Sequence, residues 1–68
     1  MDKELKLQNN LREIRQNAKL SQDELAKLVG TTRQTIIAIE KGVFNPSAKL
    51  ALLLCIMLEC KFEEMFYF

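Results

Sequence analysis

The chain has no histidine, and its two cysteines, Cys55 and Cys60, lack the C-x-x-C spacing of a metal or redox pair. No metal is therefore expected, and both thiols are expected to be reduced, buried core side chains. No nucleophile stands beside a base and no glycine-rich loop could cradle a phosphate, so the chain does not read as an enzyme. Nothing in it points to a cofactor or a small-molecule ligand. The longest apolar run, residues 50–58, is far short of the ~20 residues needed to span a bilayer. Residues 1–10 are charged and lack the apolar stretch of a leader, which makes a cytoplasmic protein with no membrane partner the expectation.

Glycine and proline are also scarce, at 2 and 1, while 49% of residues are hydrophobic. That balance excludes a disordered chain and favours a compact helical one. At 68 residues it reads as a single domain, 1–68, close to the lower size limit for folding alone. The net charge of +1 conceals an uneven distribution. Residues 1–20 carry five basic against three acidic groups, residues 31–49 three against one, and residues 50–68 one against three. A basic face and an acidic end are both possible, which matters for a polyanionic partner.

Start and stop signals divide the chain into five short helices. Asn10 followed by Glu13 reads as a cap and its partner, opening a helix to about Lys19 with Leu11, Ile14 and Ala18 on one face. Ser21 and Glu24 form a stronger S-x-x-E box, with Leu25, Ala26, Leu28 and Val29 as the buried side, and Gly30 ends that helix. Thr32 caps a third helix whose inner side carries Ile36, Ile39 and the stem of Glu40, and which Gly42 ends. Ser47, after Asn45 and Pro46, caps a fourth running to about Leu58, and a short fifth spans about 62–65. Leu5 and Leu7 alternate with Lys6 and Gln8, so this stretch and the tail 66–68 could form a small two-stranded ribbon.

Two short helices joined by a glycine turn must cross steeply, and they approach closely only if a small residue sits at the contact. Ala26 supplies it, with Gly30 at the turn and Leu25, Val29, Ile36 and Ile39 as the apolar positions, so residues 21–41 fit a helix-turn-helix. On a helical wheel Gln34, Ile37, Ala38 and Lys41 lie on the outer side of the third helix, and residues 32–41 become the segment expected to read the DNA major groove. Thr32, Arg33 and Gln34 open it, and Arg33 and Gln34 are suited to bidentate bonds with guanine and adenine. Ile37 and Ala38 could instead meet thymine methyl groups. Gln22, Lys41 and Asn45 lie where phosphates would be held, positioning the protein without specifying sequence.

The segment LSQDELAKLVGTTRQTIIAIEKGVFNPS resembles the Cro/cI-type helix-turn-helix regulators of the Xre family, and the likeness extends over residues 10–67. It implies an all-α, five-helix repressor-like domain that binds pseudo-palindromic double-stranded DNA as a homodimer, with base contacts at Thr32, Arg33, Gln34, Ile37 and Ala38. It also implies an ion pair between Arg15 and Glu40. The chain departs from the family at Ile37, where a small polar or charged residue is common, so base preference does not carry over. It departs again in residues 50–58, apolar at every position where relatives usually interleave Lys or Glu.

A helix with no polar side suits a subunit interface. Leu50, Leu54, Cys55 and Leu58 can fill the core while Leu53, Ile56 and Met57 meet a second copy, with Met65, Phe66 and Phe68 extending that surface. The expected function is a homodimeric transcriptional regulator, acting as a repressor. The alternative is an antitoxin-like protein-interaction module that uses the same surface to hold a different chain.

Overall fold

Hydroxyl side chains start three of the helices in the computed structural model, which describes residues 5–68. Residues 1–4, part of the opening segment read above for a leader, lie outside the described residues. Helix α2, Gln22–Val29, opens on a complete capping box: Ser21 Oγ accepts from the Glu24 N–H at 3.0 Å, and Glu24 Oε1 accepts from the Ser21 N–H at 2.8 Å. Helix α3, Arg33–Glu40, begins with Thr32 Oγ1 accepting from the Thr35 N–H at 3.2 Å. Helix α4, Ala48–Met57, begins with Ser47 Oγ accepting from the Leu50 N–H at 3.2 Å.

Helix α1, Leu11–Asn17, starts differently from the Asn10–Glu13 box expected of it. Asn10 makes no side-chain cap, because its amide donates to the Glu64 carbonyl at 3.1 Å. Its neighbour Asn9 does the work, accepting from the Leu11 N–H at 3.0 Å through Oδ1 and donating to the Ile39 carbonyl at 3.0 Å through Nδ2. Both asparagines are placed by a terminal ribbon. Strand β1, Gln8–Asn9, pairs antiparallel with β2, Phe66–Tyr67, after the single-turn helix α5, Phe62–Met65. The register sets Gln8 opposite Tyr67 and Asn9 opposite Phe66. The ribbon therefore uses Gln8, the end of the alternating stretch, together with Asn9, and Leu5 is left exposed.

Helices α1 to α4 all end with the same closure, in which an N–H reaches back five residues: Leu20 to Arg15 (3.2 Å), Thr31 to Ala26 (2.9 Å), Val43 to Ala38 (3.1 Å) and Cys60 to Cys55 (3.0 Å). Each needs one left-handed residue. Gly30 and Gly42 fill that place at φ 76 and 78°, whereas Lys19 and Glu59 adopt φ 61 and 54° with a Cβ.

One core joins all five helices, with Leu11, Leu25, Ile36, Ile39, Leu54 and Met65 fully buried. Several expected core positions are corrected. Ala18 is exposed and Arg15 takes the inner side of α1 instead, while Leu28 is 48% exposed on α2. On α4, Ala51 lies inside with Leu54, Cys55 and Leu58, while Leu50 is half-buried. Cys55 is buried and Cys60 half-buried, and both are free thiols. Met65 and Phe66, expected on a dimer surface, point inward at 0% and 4% exposure, because α5 and β2 fold back over the core.

Candidate nucleic-acid interface

Helices α2 and α3 form the pair on which reading DNA would depend, and Ala26 at 1% exposure is the small residue buried within it. The Gly30 turn supplies the left-handed step and Thr32 restarts the chain one residue after Thr31. Orientation of α3 is then fixed from its far end. Arg15 Nε donates to Glu40 Oε2 at 2.6 Å and Nη2 to Oε1 at 3.3 Å, while Nη1 donates to the Leu20 carbonyl at 2.8 Å. Gln22 Nε2 adds a bond to Glu40 Oε1 at 3.1 Å. One cluster thus ties α1, the start of α2 and the last residue of α3 together, and no buried side-chain polar atom among the described residues lacks a partner. A buried, fully bonded pair of this kind fixes geometry more than it adds stability.

This cluster gives Gln22 a structural role beside the phosphate contact expected of it. One of its amide N–H groups is committed to Glu40, so its side chain also supports α3, while its second amide N–H and the backbone of the first turn remain at this end of α2 for an anion. Thr32 is likewise engaged in its cap, with its hydroxyl also 3.0 Å from that of Thr35.

The outer face of α3 is open. Arg33, Gln34, Lys41 and Asn45 are exposed, and Ile37 and Ala38 are half-buried along the same side. Eight residues of helix are ~12 Å long, comparable to the width of the major groove. Strand β1 runs past the end of α3, so Lys6 and Lys41 border one shallow groove there. Beside the helix stand two residues that the sequence reading passed over, Val43 and Phe44, exposed to 76% and 48%. The signal for Val43 was available: the residue after a helix-ending glycine usually packs back on the helix.

Away from the α2–α3 pair in sequence, α4 divides as an all-apolar helix must. Ile56 is 66% and Met57 40% exposed, and Phe68 is exposed in the tail, whereas Leu53 is half-buried against the core. Leu52, at 54%, and Phe62, at 47%, belong to the exposed set and were not singled out from the sequence. The Phe62 ring stacks at a tilt on Phe66, centroids 5.1 Å apart, and so bridges this surface to the core. None of the helices among the described residues is long and apolar enough to cross a membrane, and none of their His, Cys, Asp or Glu side chains group as a metal site.

Comparison with known proteins agrees with this geometry. A helix-turn-helix family model matches residues 11–65. An uncharacterised HTH-type transcriptional regulator of Methanocaldococcus jannaschii is 44% identical over 62 residues, covering 91% of this chain and 94% of that one. Another from Bacillus subtilis is 43% identical over 61 residues, covering 90% and 92%. Among solved structures, the restriction-modification controller protein C.AhdI from Aeromonas hydrophila superposes with a TM-score of 0.74 at 37% identity, over 79% of this chain and 78% of its own. With the family match spanning α1 to α5 and the paired α2 and α3 built as that motif requires, the chain belongs to the Cro/cI-type (Xre) family of helix-turn-helix transcriptional regulators.

Proposed function

We propose that this chain binds a pseudo-palindromic operator as a homodimer and represses transcription by occupying a promoter. The observation that carries this reading is the contrast between the two sides of α3: its inner side is locked by the Arg15–Glu40–Gln22 cluster, and its outer side presents exposed Arg33, Gln34 and Lys41. A side chain is useful for reading bases only if its helix cannot rotate. Thr32, Arg33 and Gln34 meet base edges, Ile37 and Ala38 supply apolar contact, and Lys41 and Asn45 hold the phosphates that flank the groove. The likeness to a restriction-modification controller protein supports a regulatory role.

One short helix reads few base pairs, so selectivity calls for two copies with half-sites about one turn, roughly 34 Å, apart. The surface that suits the second copy is Leu52, Ile56, Met57, Phe62 and Phe68, with half-buried Leu53 at its edge. It is apolar and lies on α4, α5 and the tail, outside the reading pair, so pairing there leaves α3 free.

The test is selection of bound duplexes from a random pool, followed by titration of the enriched duplex. Arg33→Ala with Gln34→Ala should lose specific affinity by roughly 100-fold, the loss of two bidentate contacts, while retaining salt-sensitive non-specific binding. Specific binding that survives would place the reading face elsewhere. Leu52→Glu with Ile56→Lys should give monomers in sedimentation equilibrium and weaken operator binding. An unchanged dimer mass would remove α4 from the interface, and a stoichiometric foreign chain co-purifying on that face would favour the antitoxin-like alternative.

A further inference from the structure

Val43 and Phe44 have no part in the reading above, yet they are large, exposed and immediately beside the reading helix. Val43 is held there. Its N–H donates to the Ala38 carbonyl at 3.1 Å, the Gly42 N–H donates to that of Ile39 at 2.9 Å, and Gly42 takes the left-handed φ of 78° that turns the chain back on α3. Val43 and Ala38 line the same surface, an arrangement that often accompanies this closure. Two shallow depressions result, sharing Gln34, Ala38 and Val43; one continues to Ile37 and Lys41, the other to Phe44.

Among the described residues, no carboxylate lines either depression. Glu40, the acidic residue of α3, is turned inward onto Arg15, while Lys41 borders the strip and exposed Arg33 starts the helix that carries it. An apolar strip edged by cations and an amide complements a polyanion that also presents apolar groups. In the major groove one such group exists: the C5-methyl of a pyrimidine.

We infer that Val43 and Phe44 join Ile37 and Ala38 in a strip that reads pyrimidine C5-methyl groups, carried by thymine or by 5-methylcytosine, next to the bases bonded by Arg33 and Gln34. This rests on α3 being the DNA-reading helix. The strip makes methylated pyrimidines a determinant of the half-site, and it extends the reading surface beyond the helix into the turn that follows.

The experiment uses the full chain and the duplex it enriches from a random pool. Each thymine is replaced in turn by uracil, which deletes the methyl and keeps the pairing, and affinity is read by fluorescence anisotropy at fixed salt. Wild type should weaken about fourfold for each contacted methyl, the value of one buried carbon. Val43→Ser, at an exposed position, should leave the thermal melt unchanged, bind the thymine duplex more weakly and lose the uracil penalty at one position or more. At that position a C·G pair and a 5-methylcytosine·G pair identify the source: recovery on methylation shows that the methyl suffices on either base, and no recovery assigns the strip to thymine. Wild-type affinity indifferent to uracil throughout the half-site overturns the inference. So does a penalty that persists unchanged in both Val43→Ser and Phe44→Ser. If the pool enriches no sequence at all, the reading of α3 itself falls, a result distinguishable from either of these.

Discussion

Removing Arg15 should be among the most costly single polar truncations of the described residues. Its side chain is 10% exposed and that of Glu40 5%. Arg15→Met deletes the bonds to both Glu40 oxygens and to the Leu20 carbonyl, leaving a buried carboxylate whose remaining side-chain partner among the described residues is Gln22 Nε2 at 3.1 Å. An unpaired buried charge of this kind costs about 3–5 kcal/mol. A domain of 68 residues has roughly 3–10 kcal/mol in total. The variant should therefore lose at least about 30% of its stability, with a midpoint lowered by ~12 °C or more. Arg15→Met combined with Glu40→Leu removes both charges and should recover most of the loss, because the orphaned carboxylate is the source of the cost. Urea and thermal melts followed by circular dichroism measure this, at one protein concentration since any self-association shifts the apparent stability. A single variant costing under ~1 kcal/mol, or a double variant no more stable than the single, would refute the reasoning.

Glu59→Gly and Lys19→Gly should each stabilise by ~0.5–1 kcal/mol in the same melts, by relieving left-handed backbone at φ 54 and 61°. Gly30→Ala should destabilise by ~1 kcal/mol from backbone strain alone, as nothing lies near its missing Cβ. Burial, reinforced by Cys60 and Glu63, pushes the Cys55 thiol up to about 11, and burial also raises Cys60. The unfolded chain then loses these protons first, so stability should fall as pH rises from about 9 towards 11, and a flat denaturation profile over that window would count against it. Half-buried Cys60 should be alkylated before Cys55, as mass spectrometry of partly labelled protein would show. Lys41→Ala should weaken binding to all duplexes alike and lower the slope of log affinity against log salt by about one.

The helices were legible because their signals are local. A hydroxyl three residues before a free N–H and a glycine at a helix end act within one turn of chain, and Ser21, Thr32, Ser47, Gly30 and Gly42 all take the places those rules assign. Asn10 failed as a cap for a non-local reason: the ribbon brings it to Glu64, 54 residues away in sequence, and Asn9 becomes the better-placed acceptor. Met65 and Phe66 misled for the same reason, since whether an aromatic tail is surface or core depends on where α5 turns it. Helix α4 shows the limit most plainly. Nine consecutive apolar residues, 50–58, carry no periodicity from which inside and outside could be separated, so Leu53 was assigned outward and Leu52 overlooked.

The closure that ends α3 links stability to reading in a way that the closure of α2 does not. At Gly30 the left-handed residue sets the crossing of α2 and α3, and the residue bonded back, Thr31, leads directly into the cap of α3. At Gly42 the residue bonded back is Val43, which carries an exposed apolar side chain onto the outer face. Gly42→Ala meets no steric obstacle, so its effect comes through φ, and a chain that relaxes this strain gives up the Val43 N–H to Ala38. The expected result is a loss of ~1 kcal/mol in stability together with a reduced response to thymine methyl groups. Gly30→Ala should cost similar stability and leave the methyl response of its folded fraction intact. A methyl response equally reduced in both would mean that helix fraying, not the position of Val43, controls it.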